Sequence, residues 1–214
     1  MRTDPSETDR LLPRVAQGDA EAWGALLQRH RHRLRRMVAL RLDPRLQGRI
    51  DPSDVVQEAY LEASNRRAQY LQNPTMPFFL WLRFLAGQRL RVLHRKHLGA
   101  RARDAGREIS LCRGALPEAS SAELVAQLLG HDTRASEAVV RAEMQLRLQE
   151  ALNTMDPLDR EVLALRHFEQ LSNAEAAAVL GIHASAASKR HLRAVRRLKA
   201  ILTQMPGGLR ELGL

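Results

Sequence analysis

"LSNAEAAAVLGIHASAASKRHLRAVRRLK", residues 171–199, changes character at its midpoint. Up to Ile182 it is small and apolar, with Glu175 its one charged residue. Beyond, it carries Lys189, Arg190, Arg193, Arg196, Arg197 and Lys199, and no acid occurs between Glu175 and Glu211. Ser172 and Glu175 have the S-x-x-E spacing of a capping box, in which hydroxyl and carboxylate each accept an unpaired backbone N–H at a helix start. The spacing predicts a short helix ending at Val179 or Leu180. Gly181 stands where a tight turn needs a residue tolerant of positive φ, and Ile182 can pack back into the core. A second helix is expected over 184–202, with Ala184, Ala187, Val195, Leu198 and Leu202 inward and most basic residues outward. Short helix, glycine turn and longer basic helix make a helix-turn-helix, whose second helix enters the major groove with its early residues toward base edges. Ser185, Ser188, Lys189 and Arg190 come early enough for that. Arg193, Arg196, Arg197 and Lys199 fall later, where phosphate contacts position rather than specify. An ordinary helical hairpin with a solvated basic face would mix both signs to gain i,i+4 pairs. The acid-free run favours DNA.

The rest of the chain agrees. A formal net charge of +10 over 214 residues suits a polyanionic partner. Aromatics are scarce, and Ala, Leu and Arg dominate, which favours helices over sheets. The expected fold is all-α: two small helical domains joined by a flexible linker. No apolar run is long enough to cross a bilayer, and "MRTDPSETDRLLPRVAQGD" has no apolar signal core, so membrane insertion and export are not expected and a cytoplasmic location is. The single cysteine, Cys112, excludes an internal disulfide framework.

The first block opens with apolar residues at helical spacing from Ala20 to Leu42, followed by breakers at Asp43-Pro44 and Gly48. In "DPSDVVQEAYLEASNR" Asp51 can cap a helix that Pro52 begins, with Asp54 and Glu58 near its N-terminal dipole. On that helix Asp54, Gln57, Glu58 and Leu61 fall near one face. "YLQNPTMPF" reads as a loop because of Asn73-Pro74 and Met76-Pro77. The next helix starts apolar and turns basic, with Trp81 in its core stripe, Gly87 costing about 1 kcal/mol against alanine, and Gly99 as its C-terminal cap. From about 100 to 135 the periodicity fades, leaving a linker with a short helix at 121–129. The second block begins near Ser136, a cap for "SEAVVRAEMQLRLQEALNTM", and Asp156-Pro157 opens "LDREVLALRHFEQ", whose Val162, Leu163, Leu165 and Phe168 are core candidates.

"DPSDVVQEAYLEA" resembles region 2.2 of bacterial sigma factors, and "GDAEAWGALLQRHRHRLRRM" resembles region 2.1. "FFLWLRFLAGQRLRVLHRKHLGARARD" looks like regions 2.3 and 2.4, and residues 151–198, from "ALNTMDPLDREV" onward, look like region 4. Having regions 2 and 4 alone, the chain is similar to the extracytoplasmic-function (ECF) group of the sigma-70 family, with wording most like planctomycete-type members. The resemblance implies an N-terminal tail (1–17), a region 2 domain (18–108), a linker (109–135), a region 4 domain (136–205) and a C-terminal tail (206–214). It implies a dissociable RNA polymerase subunit, monomeric when free. Asp54, Gln57, Glu58 and Leu61 would dock on the β′ clamp helices. Tyr70, Asn73 and Met76 would hold a base of the −10 element, beside phosphate-binding Arg83, Arg89, Arg91, Arg95 and Lys96. Region 4 would bind the β flap and read the −35 element through Ser185, Ser188, Lys189, Arg190, Arg193, Arg196 and Arg197. An anti-sigma factor is a further partner the family implies. His183 departs from the usual Ser or Thr cap, and Ala186, Ala187 and Ser188 stand where many relatives have Thr, Val and Lys.

Other chemistry finds little support. His94, His97 and Cys112 lack the fourth ligand of a zinc site, so no metal or cofactor is expected. Asp54 and Glu58 have no nucleophile or pocket signature beside them, and no glycine-rich phosphate loop occurs, so catalysis is not expected. The alternative is a stand-alone helix-turn-helix regulator that dimerises on duplex DNA.

Overall fold

The computed structural model describes residues 5–98, Leu124 and 138–205, and every regular element among them is helical. The chain divides into two units, Met1–Ile109 and Ser110–Leu214. The expected linker 109–135, its short helix, Gly99, Cys112, Ser136 and the tail 206–214 lie outside the described residues, Leu124 excepted, which is helical and buried.

The first unit consists of α1 (Pro5–Ala16), α2 (Ala20–Arg41), α3 (Pro52–Asn65), α4 (Arg67–Gln72) and α5 (Phe78–Leu98). Asp19 caps α2 by accepting from the Ala22 N–H at 2.9 Å. Asp51 and Pro52 start α3 as expected, the carboxylate accepting from the Ser53 N–H at 2.7 Å. Helices α2, α3 and α5 pack on one another around Leu26, Leu34, Val38, Val55, Ala59, Leu82 and Leu85. An aromatic cluster closes one end of this core. Phe78 meets Trp23 edge-on at 5.8 Å and Tyr70 at 5.5 Å, and Tyr70 stacks on Trp81 at 4.4 Å. Trp81 is thus a core residue, as its position in the apolar stripe predicted.

Residues 1–17, expected to be a tail, instead contain α1, which packs on α2. Polar composition and an internal Pro13 hid it. Val15 is its buried residue, and tertiary partners do the rest: Glu7 pairs with Arg29, and Thr8 Oγ1 lies 3.4 Å from His30 Nε2. The expected loop is also shorter, because α4 carries Tyr70 and Leu71 and leaves 73–77 as the irregular connection.

The second unit consists of α6 (Ala138–Thr154), α7 (Pro157–Leu163) running into a π-helical turn (Ala164–Phe168), α8 (Asn173–Leu180) and α9 (Ala184–Gln204). Asp156 caps α7 through the Leu158 and Asp159 N–H groups. Val162, Leu163, Leu165 and Phe168 are all buried, as periodicity foretold. α9 packs on α6, α7 and α8, presenting Ala187, Ala194, Leu198 and Leu202 inward. Ala184 is exposed instead of buried, since its carbonyl accepts from Asn173 Nδ2 at the mouth of the turn. Val195 is only half-buried.

Candidate polymerase and nucleic-acid interfaces

On α3 the side chains of Val55, Val56, Ala59 and Ala63 face the core. Helical geometry therefore turns Asp54, Gln57, Glu58 and Leu61, spaced i, i+3, i+4 and i+7, into one solvent-facing stripe. Leu61 is 68% exposed, unusual for a leucine in a helix middle. Among the described residues, none of the three polar side chains makes a hydrogen bond or ion pair, so two carboxylates and an amide surround an uncovered apolar side chain. Such a face suits a basic, partly apolar protein surface.

The residues expected at the −10 element separate into two groups. Tyr70 is only 7% exposed, and its hydroxyl donates to the Met76 carbonyl at 3.0 Å. It pins the 73–77 connection from inside and offers no stacking surface, which corrects its expected role. Burial pushes that phenol up to about 12, so it stays a donor. Arg83 is likewise buried and is no part of a phosphate-binding surface. Both errors have one cause: the first turn and a half of α5, Phe78 to Arg83, is enclosed on every side. Arg89 binds Glu62 at 3.1 Å, a carboxylate it shares with Arg66 at 2.5 Å. Asn73 is exposed and Met76 half-buried, while Arg91, Arg95 and Lys96 line the outer end of α5 with no acidic partner among the described residues. One residue that sequence reasoning missed, Phe84, stands exposed on the same helix. A signal was present: no acidic residue occurs between Glu62 and Asp104. It is the counterpart of the acid-free run in the second unit.

In the second unit the capping box forms in full. The Glu175 N–H donates to Ser172 Oγ at 3.1 Å, and the Ser172 N–H donates to Glu175 Oε2 at 2.7 Å. Gly181 adopts φ +64°, the left-handed conformation expected of it. His183 occupies the cap of α9 without a side-chain hydrogen bond, as its departure from Ser or Thr implied. Ser185, Ser188, Lys189, Arg193, Arg196 and Lys199 are exposed. Arg190 and Arg197 are not free: both reach Asp159, a carboxylate only 2% exposed in the first turn of α7. Arg190 lies 3.6 Å from Oδ1, and Arg197 bonds Oδ2. These two arginines, expected on DNA, first of all clamp α9 to α7. Beside them His167 of the π turn and His191 of α9 stack, their Nε2 atoms 2.8 Å apart. Burial, then His191 and Arg166, push the His167 imidazole down to about 4, and burial with Arg166 also lowers His191. The pair is therefore neutral, with one ring donating to the other. Among the described residues no group of three or more potential ligands could hold a metal ion, and no helix is long and apolar enough to cross a membrane.

The geometry defines a helix-turn-helix protein with a second helical unit that carries a contact face of its own. Residues 145–198 match the family model for sigma-70, region 4. Along nearly its whole length the chain is similar to the RNA polymerase sigma factor CnrH of Cupriavidus metallidurans, 30% identical over 207 residues, covering 93% of this chain and 96% of that protein. It is also 29% identical over 201 residues to the RNA polymerase sigma factor NccH of Alcaligenes xylosoxydans xylosoxydans, covering 94% and 97%. The solved structure of CnrH in complex with the cytosolic domain of CnrY shares the fold, with a TM-score of 0.54 at 24% identity over 95% of this chain and all of that one. The chain belongs to the ECF group of the sigma-70 family of RNA polymerase sigma factors.

Proposed function

We propose that the chain divides promoter-directed initiation between its two units as follows. The stripe Asp54, Gln57, Glu58 and Leu61 docks on the β′ clamp helices of core polymerase. The 73–77 connection, with Asn73 and Met76, and the basic end of α5, with Arg91, Arg95 and Lys96, receive the −10 element. In the second unit α9 reads the −35 element through Ser185, Ser188 and Lys189, with Arg193 and Arg196 on phosphates, and the unit also meets the β flap. Arg190 and Arg197 hold the recognition helix in place and reach phosphates only with the charge Asp159 leaves them. The region 2 unit includes α1, beyond the boundary at residue 18. The free protein is a cytoplasmic monomer, and an anti-sigma protein is its expected regulator.

One observation carries this reading: an acidic, amide and leucine stripe without a partner among the described residues of one unit accompanies a basic helix without acids in the other. A stand-alone regulator would need only the second. Fluorescence anisotropy of the labelled chain titrated with bacterial core RNA polymerase tests it. Glu58→Lys and Gln57→Ala should weaken core binding by about tenfold or more, since a reversed charge faces a basic partner. Duplex binding by the isolated chain should stay weak and salt-dependent. Wild-type affinity for core in both variants would remove the α3 stripe from the interface.

A further inference from the structure

His167 and His191 are 24 residues apart and share no motif, yet the second unit brings their Nε2 atoms to 2.8 Å. The nearly parallel rings aim these atoms at each other: the nitrogen separation plus one ring radius at either end accounts for the 5.0 Å between centroids. Both rings stand on packed backbone. His167 belongs to the π turn, between buried Leu165 and Phe168, and His191 lies on α9 between buried Ala187 and Ala194. Such π-helical turns recur at functional sites, and here the turn is what carries His167.

Two imidazole nitrogens that face each other are the start of a metal site. Tetrahedral Zn2+, with bonds of about 2.0–2.1 Å, sets two ligand nitrogens about 3.4 Å apart. The rings would open by roughly 0.6 Å from their present separation, a small torsional change. Metal ligation needs neutral imidazole. Burial, then His191 and Arg166, lowers the proton affinity of His167, and burial with Arg166 lowers that of His191, so protons do not compete for the pair at neutral pH. Both side chains are half-buried, which lets water reach them. The ring that now donates passes its proton to Nδ1 through that water, and both Nε2 lone pairs become available. The guanidinium groups of these elements are engaged elsewhere: Arg166 bonds the Leu171 carbonyl, and Arg190 and Arg197 reach the Asp159 carboxylate. That pairing also withdraws Asp159 as an oxygen ligand, so a hard cation such as Mg2+ finds no donor set here.

We propose that His167 and His191 bind a divalent transition-metal ion of the imidazole-preferring class, Zn2+ or Cu2+, through their Nε2 atoms, with water completing the shell. Two protein ligands make an exchangeable site, unlike the four-ligand sites that hold structural zinc. A bound ion links the π turn to α9 and stabilises the second unit by mass action. The expectation of no metal weighed His94, His97 and Cys112, which lie close in sequence; a pair assembled only by folding leaves no such trace. The inference stands on the geometry of the second unit and does not depend on the polymerase reading.

The test is a Zn2+ titration of the full chain carrying Cys112→Ser, which removes its only thiol. Long-range proton–nitrogen NMR reads all eight imidazoles at once. The Nε2 signals of His167 and His191 should move together with Zn2+ and stay in place with Mg2+. Calorimetry should show Zn2+ affinity falling about tenfold or more in His167→Gln and in His191→Gln, and unchanged in variants of the exposed histidines, His32→Gln and His97→Gln. Signals that move at other histidines while these two stay fixed overturn the proposal, as does undiminished affinity in His167→Gln and His191→Gln. An equal response to Mg2+ overturns it too, by reducing the effect to charge screening. The NMR reading is taken on the native pair, so it decides the matter even where a glutamine variant fails to fold.

Discussion

The two units hold their basic helices in opposite ways. In the first, α5 is gripped at its N-terminal end by aromatic rings: Phe78 and Trp81 lock against Trp23 and Tyr70, and towards its C-terminal end Arg91, Arg95 and Lys96 have no acidic partner among the described residues. In the second, a single aromatic is available, Phe168, and the recognition helix is held along its length by small inward residues and by the Asp159 clamp on Arg190 and Arg197. Apolar anchoring leaves Arg91, Arg95 and Lys96 without an acidic partner among the described residues, while Arg89 is held by Glu62. Ionic anchoring ties up two of the cations it holds.

Removing the aromatic anchor should have the largest effect. Phe78→Ala deletes a ring that touches Trp23, His30, Tyr70 and Trp81, and should cost about 3–5 kcal/mol. Tryptophan fluorescence during urea unfolding reads this cleanly, because Trp23 and Trp81 are the only two tryptophans and both are in the first unit. A loss under about 1 kcal/mol would mean the cluster is not the anchor.

Cutting the ionic anchor should cost less. Asp159→Ala releases Arg190 and Arg197, which are partly exposed and can be rehydrated, so about 2 kcal/mol is expected, below the usual cost of stranding a buried charge. Far-UV circular dichroism in a denaturant titration measures it, and a neutral result would reduce the clamp to an incidental surface pair.

Acid should weaken both units through one mechanism. Each has a neutral histidine shielded from water: His30, buried against Phe78 and Phe79, and His167, half-buried against His191. Burial, then Arg33 and Arg29, push His30 down to about 4, as burial and its neighbours do His167. Unfolded histidine takes up its proton near pH 6.5. The unfolded state therefore binds more protons between 6.5 and 4, and the stabilisation present above 6.5 is lost as pH falls through that window. About 2 kcal/mol per unit should be gone at pH 5. His30→Leu should flatten the pH dependence of the tryptophan transition; an unchanged slope would assign it to other groups.

The smallest effects come from two glycines of opposite meaning. Gly181→Ala forces a Cβ into φ +64° and should lower stability by about 1 kcal/mol. Gly87→Ala places a methyl group in open space on a helix and should raise it by up to about 1 kcal/mol. Differential scanning calorimetry resolves the two signs, and a destabilising Gly87→Ala would mean that packing keeps that glycine.

Local chemistry was legible wherever a few neighbouring residues suffice. The Ser172–Glu175 box, the αL turn at Gly181, the Asp51-Pro52 and Asp156-Pro157 starts and the solvent stripe of α3 depend on spacing within one or two turns, so the sequence alone determined them, along with the all-α class. Only tertiary structure decided which exposed-looking residues are exposed. α1 exists because α2 offers it partners, against Pro13 and a polar composition. Tyr70 and Arg83 were taken for DNA contacts and are buried, Arg190 and Arg197 are drawn back to an acid more than 30 residues away, and Phe84 is left outside. Periodicity states which side of a helix is apolar. It does not state how far along that helix the neighbours reach: α5 is enclosed on every side from Phe78 to Arg83, and beyond Phe84 only its inward residues Leu85, Ala86 and Leu90 stay buried.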